Sequence, residues 1–104
     1  MDSGRTAMLA PMLRQLAEAA RVQRRQLVID AAERQFYLGV EAAAQGLLHP
    51  EVAAGRNPDW LEREKPEFRE GYLTMLADLT TAISAETLPL AFRLPRYEER
   101  ASRP

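Results

Sequence analysis

Cysteine is absent from this 104-residue chain. That excludes disulfides, thiolate metal sites and cysteine nucleophiles together, and leaves stability to packing. Lysine and histidine are almost absent: Lys65 and His49 each stand alone. With one histidine and neither His-Glu-x-x-His nor Glu-x-x-His spacing, no metal site is expected. No glycine-rich phosphate loop occurs, and Ser3, Ser84 and Ser102 lack a Gly-x-Ser-x-Gly setting, so no cofactor and no serine nucleophile are expected. No apolar run approaches the roughly 18 residues of a spanning helix. The stretch from Ala7 to Ala10, cut off by Pro11, is too short for a signal-peptide core. A cytoplasmic setting without membrane contact is the resulting expectation. Excess charge is lacking too: 14 basic against 15 acidic side chains give no global field toward nucleic acid or an anionic membrane.

What is present is a globular composition, 46% hydrophobic and 28% charged, sufficient for one domain over residues 1–104 with ends at 1–8 and 98–104 expected to fray. Arginine supplies all the basic residues but Lys65 and alanine is abundant, as GC-rich coding produces, which points to a bacterial source.

Helix formers dominate residues 9–48, where the one proline, Pro11, sits at the start. The segment reads as one long helix, of about 60 Å if unbroken. Gly46 and His49-Pro50 signal its end. A loop is expected over 51–57, then a short helix capped by Asn57-Pro58 and running to about Glu64. From Pro66 to Ser84, Phe68, Tyr72, Met75, Leu76, Leu79 and Ile83 recur at three- and four-residue steps, an amphipathic helix by period. Leu88, Leu90, Phe92 and Leu94 alternate between prolines, which predicts an extended arm lying on a surface of this chain or of a neighbour. The class expected is all-α: a long N-terminal helix, a short middle helix, an amphipathic third helix and a C-terminal arm.

At 100° per residue the long segment carries two apolar stripes. Val22, Ile29, Phe36, Val40, Ala43 and Leu47 form one; Leu9, Leu13, Leu16, Ala20, Leu27, Ala31, Leu38 and Ala42 form the other. The 66–84 helix can meet the Phe36 side. The Leu9 to Leu27 side is left uncovered if the helix is continuous, and exposing it would forgo about 1.5–3 kcal/mol per large side chain. A helical-bundle homodimer is therefore expected, with Leu9, Leu13, Leu16, Leu27, Leu90 and Phe92 at its interface. The alternative is a helix broken near Arg24-Arg25 that folds back on itself. Gly39 and Gly46, with Ala32, make a small-residue strip suited to close helix approach, and Gly71 is its natural counterpart.

Glu33, Tyr37, Glu41, Gln45 and His49 form a row at four-residue steps. It reads either as a solvated sector between the stripes or as a polar line inside a cavity, with Glu41 as general base or ligand anchor and Tyr37, Gln45 and His49 beside it. Arg21, Arg24 and Arg25 are anion-binding candidates, or partners for acidic side chains. Nucleic acid is disfavoured because the 66–84 helix carries Glu67, Glu70 and Asp78 against Arg69. Trp60 and Phe68 are expected as core anchors beneath the 62–65 turn. Function is read first as a self-associating protein-interaction module, an accessory or regulatory subunit. Second comes a small helical enzyme or ligand binder around Glu41, and third a DNA-binding regulator.

Overall fold

The computed structural model describes residues 3–84 and 93–102. The described residues form four α-helices, α1 (Ser3–Arg24), α2 (Ala31–Leu48), α3 (Pro50–Ala54) and α4 (Pro66–Ser84), with a 3-10 turn at Leu61–Arg63 before α4 and another at Tyr97–Ser102 after it. No strand occurs among the described residues.

The expected single long helix is two helices. It stops after Arg24, and residues 25–30 turn the chain back. Two local contacts fix the break. The Asp30 side chain accepts from the Glu33 backbone N–H at 2.8 Å, an N-cap for α2. The Arg34 Nε donates to the Arg24 carbonyl at 3.1 Å, occupying one of the acceptors that the end of α1 leaves open. Folding back has an energetic reason. Leu13, Ala17 and Ala20 of α1 lie in one buried cluster with Ala43 and Ala44 of α2, so the stripe that a rod would expose is covered within the chain. The longest extent is 39 Å, well short of the rod. Leu13 is buried, and Leu9 and Leu16 are partly buried against the same core. Leu9 to Ala20 of this stripe are thus covered without a second subunit, contrary to the expectation from a continuous helix, while Leu27 and Ala31 stay exposed.

On its other side α2 meets α4, the pairing expected from the Phe36 stripe. Phe36, Tyr37 and Val40 share one core with Met75 and Leu79. The approach depends on two glycines. A Cβ at Gly39 would fall 2.0 Å from the Phe68 carbonyl oxygen, and one at Gly71 would fall 2.0 Å from the Phe36 carbonyl oxygen. Both obstacles are backbone, so no side-chain rotation relieves them. Gly46, the other member of the predicted strip, meets only the Ala53 Cβ at 3.9 Å.

Residues 51–57, expected as a loop, contain α3. His49 leaves the helical region at φ −130° and ψ 70°, as its place before Pro50 requires, and Pro50 then opens a new turn at the N-terminal position it tolerates. The helix expected from Asn57 to Glu64 is reduced to the 3-10 turn Leu61–Arg63. Trp60 and Phe68 are partly buried and meet edge to face at 6.1 Å. Trp60 also meets Tyr72 at 5.1 Å and carries the Arg56 guanidinium over its ring at 4.2 Å. α4 has the bounds that its periodicity predicts.

The C-terminal stretch returns to α2. Pro95 is fully buried, Leu94 is partly buried, and the Tyr97 ring stands edge-on to Phe36 at 5.6 Å. The described end of the arm thus lies on its own domain, while Leu90 and Phe92 fall outside the described residues. Where the ends were expected to fray, α1 begins at Ser3 and the 3-10 turn runs to Ser102.

Candidate functional site

The four-residue row on α2 is neither a solvated sector nor a single polar line. It winds around the helix, so that Tyr37, Glu41 and the Gln45–His49 end meet different neighbours. Tyr37 is fully buried, and its hydroxyl oxygen accepts from the Tyr97 backbone N–H at 3.0 Å. Burial pushes this phenol above its ordinary range, and the Tyr97 hydrogen bond opposes that shift only in part. Tyr37 is a strut between α2 and the C-terminal stretch.

Glu41 faces the other way, toward α1. Its Oε1 accepts from Arg24 Nε at 2.6 Å and its Oε2 from Arg21 Nε at 3.1 Å. Glu41 is 9% exposed, and each arginine side chain is only partly open to water. Arg21 Nη1 also reaches Glu18 at 2.7 Å. In this setting Glu41 is charge-compensated on both oxygens, an arrangement that locks α1 onto α2. Both of its oxygens are engaged by guanidiniums from α1. The sequence treated Glu41 and the arginines as separate candidates; the fold makes them one cluster. Only a break between Arg24 and Ala31 could have foretold it, and the Asp30-x-x-Glu33 pattern is the signal for that break.

Of the anion-binding candidates, Arg21 and Arg24 are thus engaged by Glu41, while Arg25 is exposed and has no ion pair among the described residues.

Gln45 and His49 continue the row onto an open recess of ≈ 290 Å³ between the two helices, which Arg14, Ala17, Glu18, Arg21 and Leu48 complete. His49 is half exposed and lies 3.9 Å from Glu51; its backbone N–H caps α2 on the Gln45 carbonyl at 2.9 Å. The recess has cationic, amide and apolar walls and one anionic group, Glu18. Among the described residues no group of three or more His, Asp or Glu is placed to hold a metal ion, and no helix is long and apolar enough to cross a membrane.

The interface candidates divide sharply. Leu13 is buried in the chain's own core, and Leu9 and Leu16 flank it. Leu27 is 98% exposed, and its neighbour Val28, which the sequence did not single out for an interface, is 97% exposed. Val22, at the end of α1, is half exposed. The two most exposed large apolar side chains of the described residues therefore sit side by side in the turn between α1 and α2. Comparison of the chain with protein-family models, with curated proteins and with solved structures finds no match in any of the three.

Proposed function

We propose that this chain is a helical protein-interaction module that associates with a second copy of itself, in the role of an accessory or regulatory subunit, with the α1–α2 turn as its contact point. The observation that carries this reading is the paired exposure of Leu27 and Val28 in a six-residue connection. A turn left to water is ordinarily built from Gly, Pro, Asn, Asp or Ser. Here it presents two branched aliphatic side chains, and burying each against a partner contributes about 1.5–3 kcal/mol. The absence of cysteine fits a reducing, cytoplasmic setting.

The Glu41 cluster supports the same reading by what it uses up. A carboxylate held by two guanidiniums stiffens a scaffold, engaging Glu41 with partners inside the chain. The test is the molar mass of the full chain in solution, from low micromolar to several hundred micromolar, alongside Leu27→Ser/Val28→Ser. Reversible dimer formation by the parent and a monomeric variant support the reading. A parent chain that stays monomeric throughout overturns it.

The recess beside Gln45 and His49 favours a second reading, a small ligand carrying a carboxylate held by Arg14 and Gln45. Its test is an NMR titration with short mono- and dicarboxylates. Saturable shifts confined to α1 residues 14–21 and α2 residues 45–49 support it; shifts absent at tens of millimolar overturn it.

A further inference from the structure

Two exposed side chains do not make an interface, since a stable one needs on the order of 800 Å² from each partner. Larger surface has to come from elsewhere, and α1 and α2 already hold it. We infer that residues 25–30 are a hinge, and that association exchanges α1 between two copies to give an antiparallel pair of continuous helices over residues 3–48. This rests on the self-association reading above and specifies its geometry.

Three observations carry it. The first is the composition of the hinge. Arg25, Gln26, Leu27, Val28, Ile29 and Asp30 include neither glycine nor proline, and nothing in that stretch is foreign to a helix. The periodicity of the apolar stripe runs through it without interruption, which is why the sequence alone reads as a single helix. The turn is held by the Asp30 cap and the Arg34 bond to the Arg24 carbonyl, both local and both surrendered when the hinge straightens.

The second is register. Arg24 meets Glu41, Arg21 meets Glu41, and Ala17 and Leu48 line the same recess. In these pairs the two residue numbers add to nearly the same value, about 62 to 65, which is the condition for two identical helices to pair antiparallel about a two-fold axis near residue 32. The α1–α2 packing of one chain is therefore compatible with that of such a dimer. Leu13, Ala17 and Ala20 can meet Ala43 and Ala44, and Arg21 and Arg24 can meet Glu41, whether the two helices belong to one chain or to two.

The third is what the exchange gains. Carried through the hinge, the same register sets Leu27 of one copy opposite Leu38 of the other, twice over by symmetry. Leu27 is now almost wholly in water and Leu38 is partly buried. Both belong to the stripe that includes Leu13, Ala20 and Ala31. The exchange keeps the α1–α2 contacts of the closed chain, gives up the Asp30 cap and the Arg34 bond at the turn, and covers Leu27, the combination that makes swapping an inexpensive route to a dimer.

The direct test mixes uniformly ¹³C-labelled and unlabelled full-length chains, unfolds and refolds them together, and records isotope-filtered NOEs. Contacts from Leu13, Ala17 and Ala20 to Ala43 and Ala44 that cross between chains establish the exchange. A dimer in which those contacts remain within one chain overturns the exchange and leaves self-association standing. A monomer at every concentration overturns both. A second readout uses two variants, Glu41→Arg and Arg21→Glu/Arg24→Glu. Co-refolding them restores the ion pairs only when α1 of each lies on α2 of the other. A 1:1 heterodimer at least tenfold tighter than either variant's own association is expected. Heterodimer formation no tighter than self-association, with both variants folded by circular dichroism, counts against the exchange.

Discussion

Arg24 Nε lies 2.6 Å from Oε1 of Glu41, tying the last turn of α1 to the middle of α2 across a boundary that is almost dry on the Glu41 side. The two guanidiniums sit at the margin and the carboxylate within it. Removing Arg24 alone therefore leaves the carboxylate with one partner and part of its desolvation uncompensated. A double-mutant cycle on Arg24→Ala and Glu41→Ala is expected to give a coupling of about 1–3 kcal/mol by denaturant unfolding. A coupling indistinguishable from zero would mean that the cluster does not hold the helices together.

The glycines separate by what surrounds them. In an isolated helix, Gly→Ala gains up to about 1 kcal/mol. At Gly46 the nearest neighbour outside the local backbone is 3.9 Å away, so Gly46→Ala is expected to raise the unfolding midpoint. At Gly39 and Gly71 the new methyl would meet backbone at 2.0 Å, and α2 and α4 would have to part. Gly39→Ala and Gly71→Ala are each expected to cost about 1–3 kcal/mol or more despite the propensity gain. Stabilisation by either would contradict the observed packing.

Tyr37 gives the fold a pH signature. Its folded-state pKa is raised, by burial first, above the unfolded value near about 10. Its contribution is therefore complete below that value and declines as pH rises past it, since the unfolded chain releases the proton first. Stability is expected to fall above about pH 10. Tyr37→Phe should flatten that alkaline limb while costing about 0.5–1.5 kcal/mol at neutral pH through the lost Tyr97 hydrogen bond. An alkaline limb unchanged in Tyr37→Phe would assign the effect to other groups.

In the proposed exchange, Asp30 stabilises the closed chain alone. Its cap exists only while the turn exists, and caps of this kind contribute about 0.5–2 kcal/mol. Asp30→Ala is expected to weaken the closed monomer by about that much and to increase the dimer fraction at a fixed concentration. Sedimentation velocity reads both species, and a lower dimer fraction would argue that the turn is kept on association.

These particulars show where the sequence was legible. The 66–84 helix was readable end to end, because a proline starts it and its apolar period is uninterrupted. The Gly39 and Gly71 approach was readable as well, since glycine inside a helix is costly without such a contact. The break at residues 25–30 was harder to see. Leu27, Val28 and Ile29 continue a helical period, and the cap that stops it is a single Asp whose role is decided by Glu33 and Arg34 in space. The fold-back near Arg24-Arg25, the alternative that the sequence also allows, is what the structure shows; the continuous-helix reading separates Glu41 from Arg21 and Arg24, which are 20 and 17 residues away in the chain. It also assigns to a partner a stripe that the chain covers itself. Leu27 kept its place on that stripe and is what the fold leaves uncovered.

Sedimentation equilibrium of the intact chain against Leu27→Ser/Val28→Ser tests the central claim most directly. The parent is expected to move reversibly between 11.7 kDa and twice that mass as its concentration rises. The variant, whose changed side chains are exposed in the monomer, is expected to keep its thermal midpoint and remain at the monomer mass. A parent chain fixed at 11.7 kDa over the whole range, or a variant that dimerises as tightly as the parent, would contradict it.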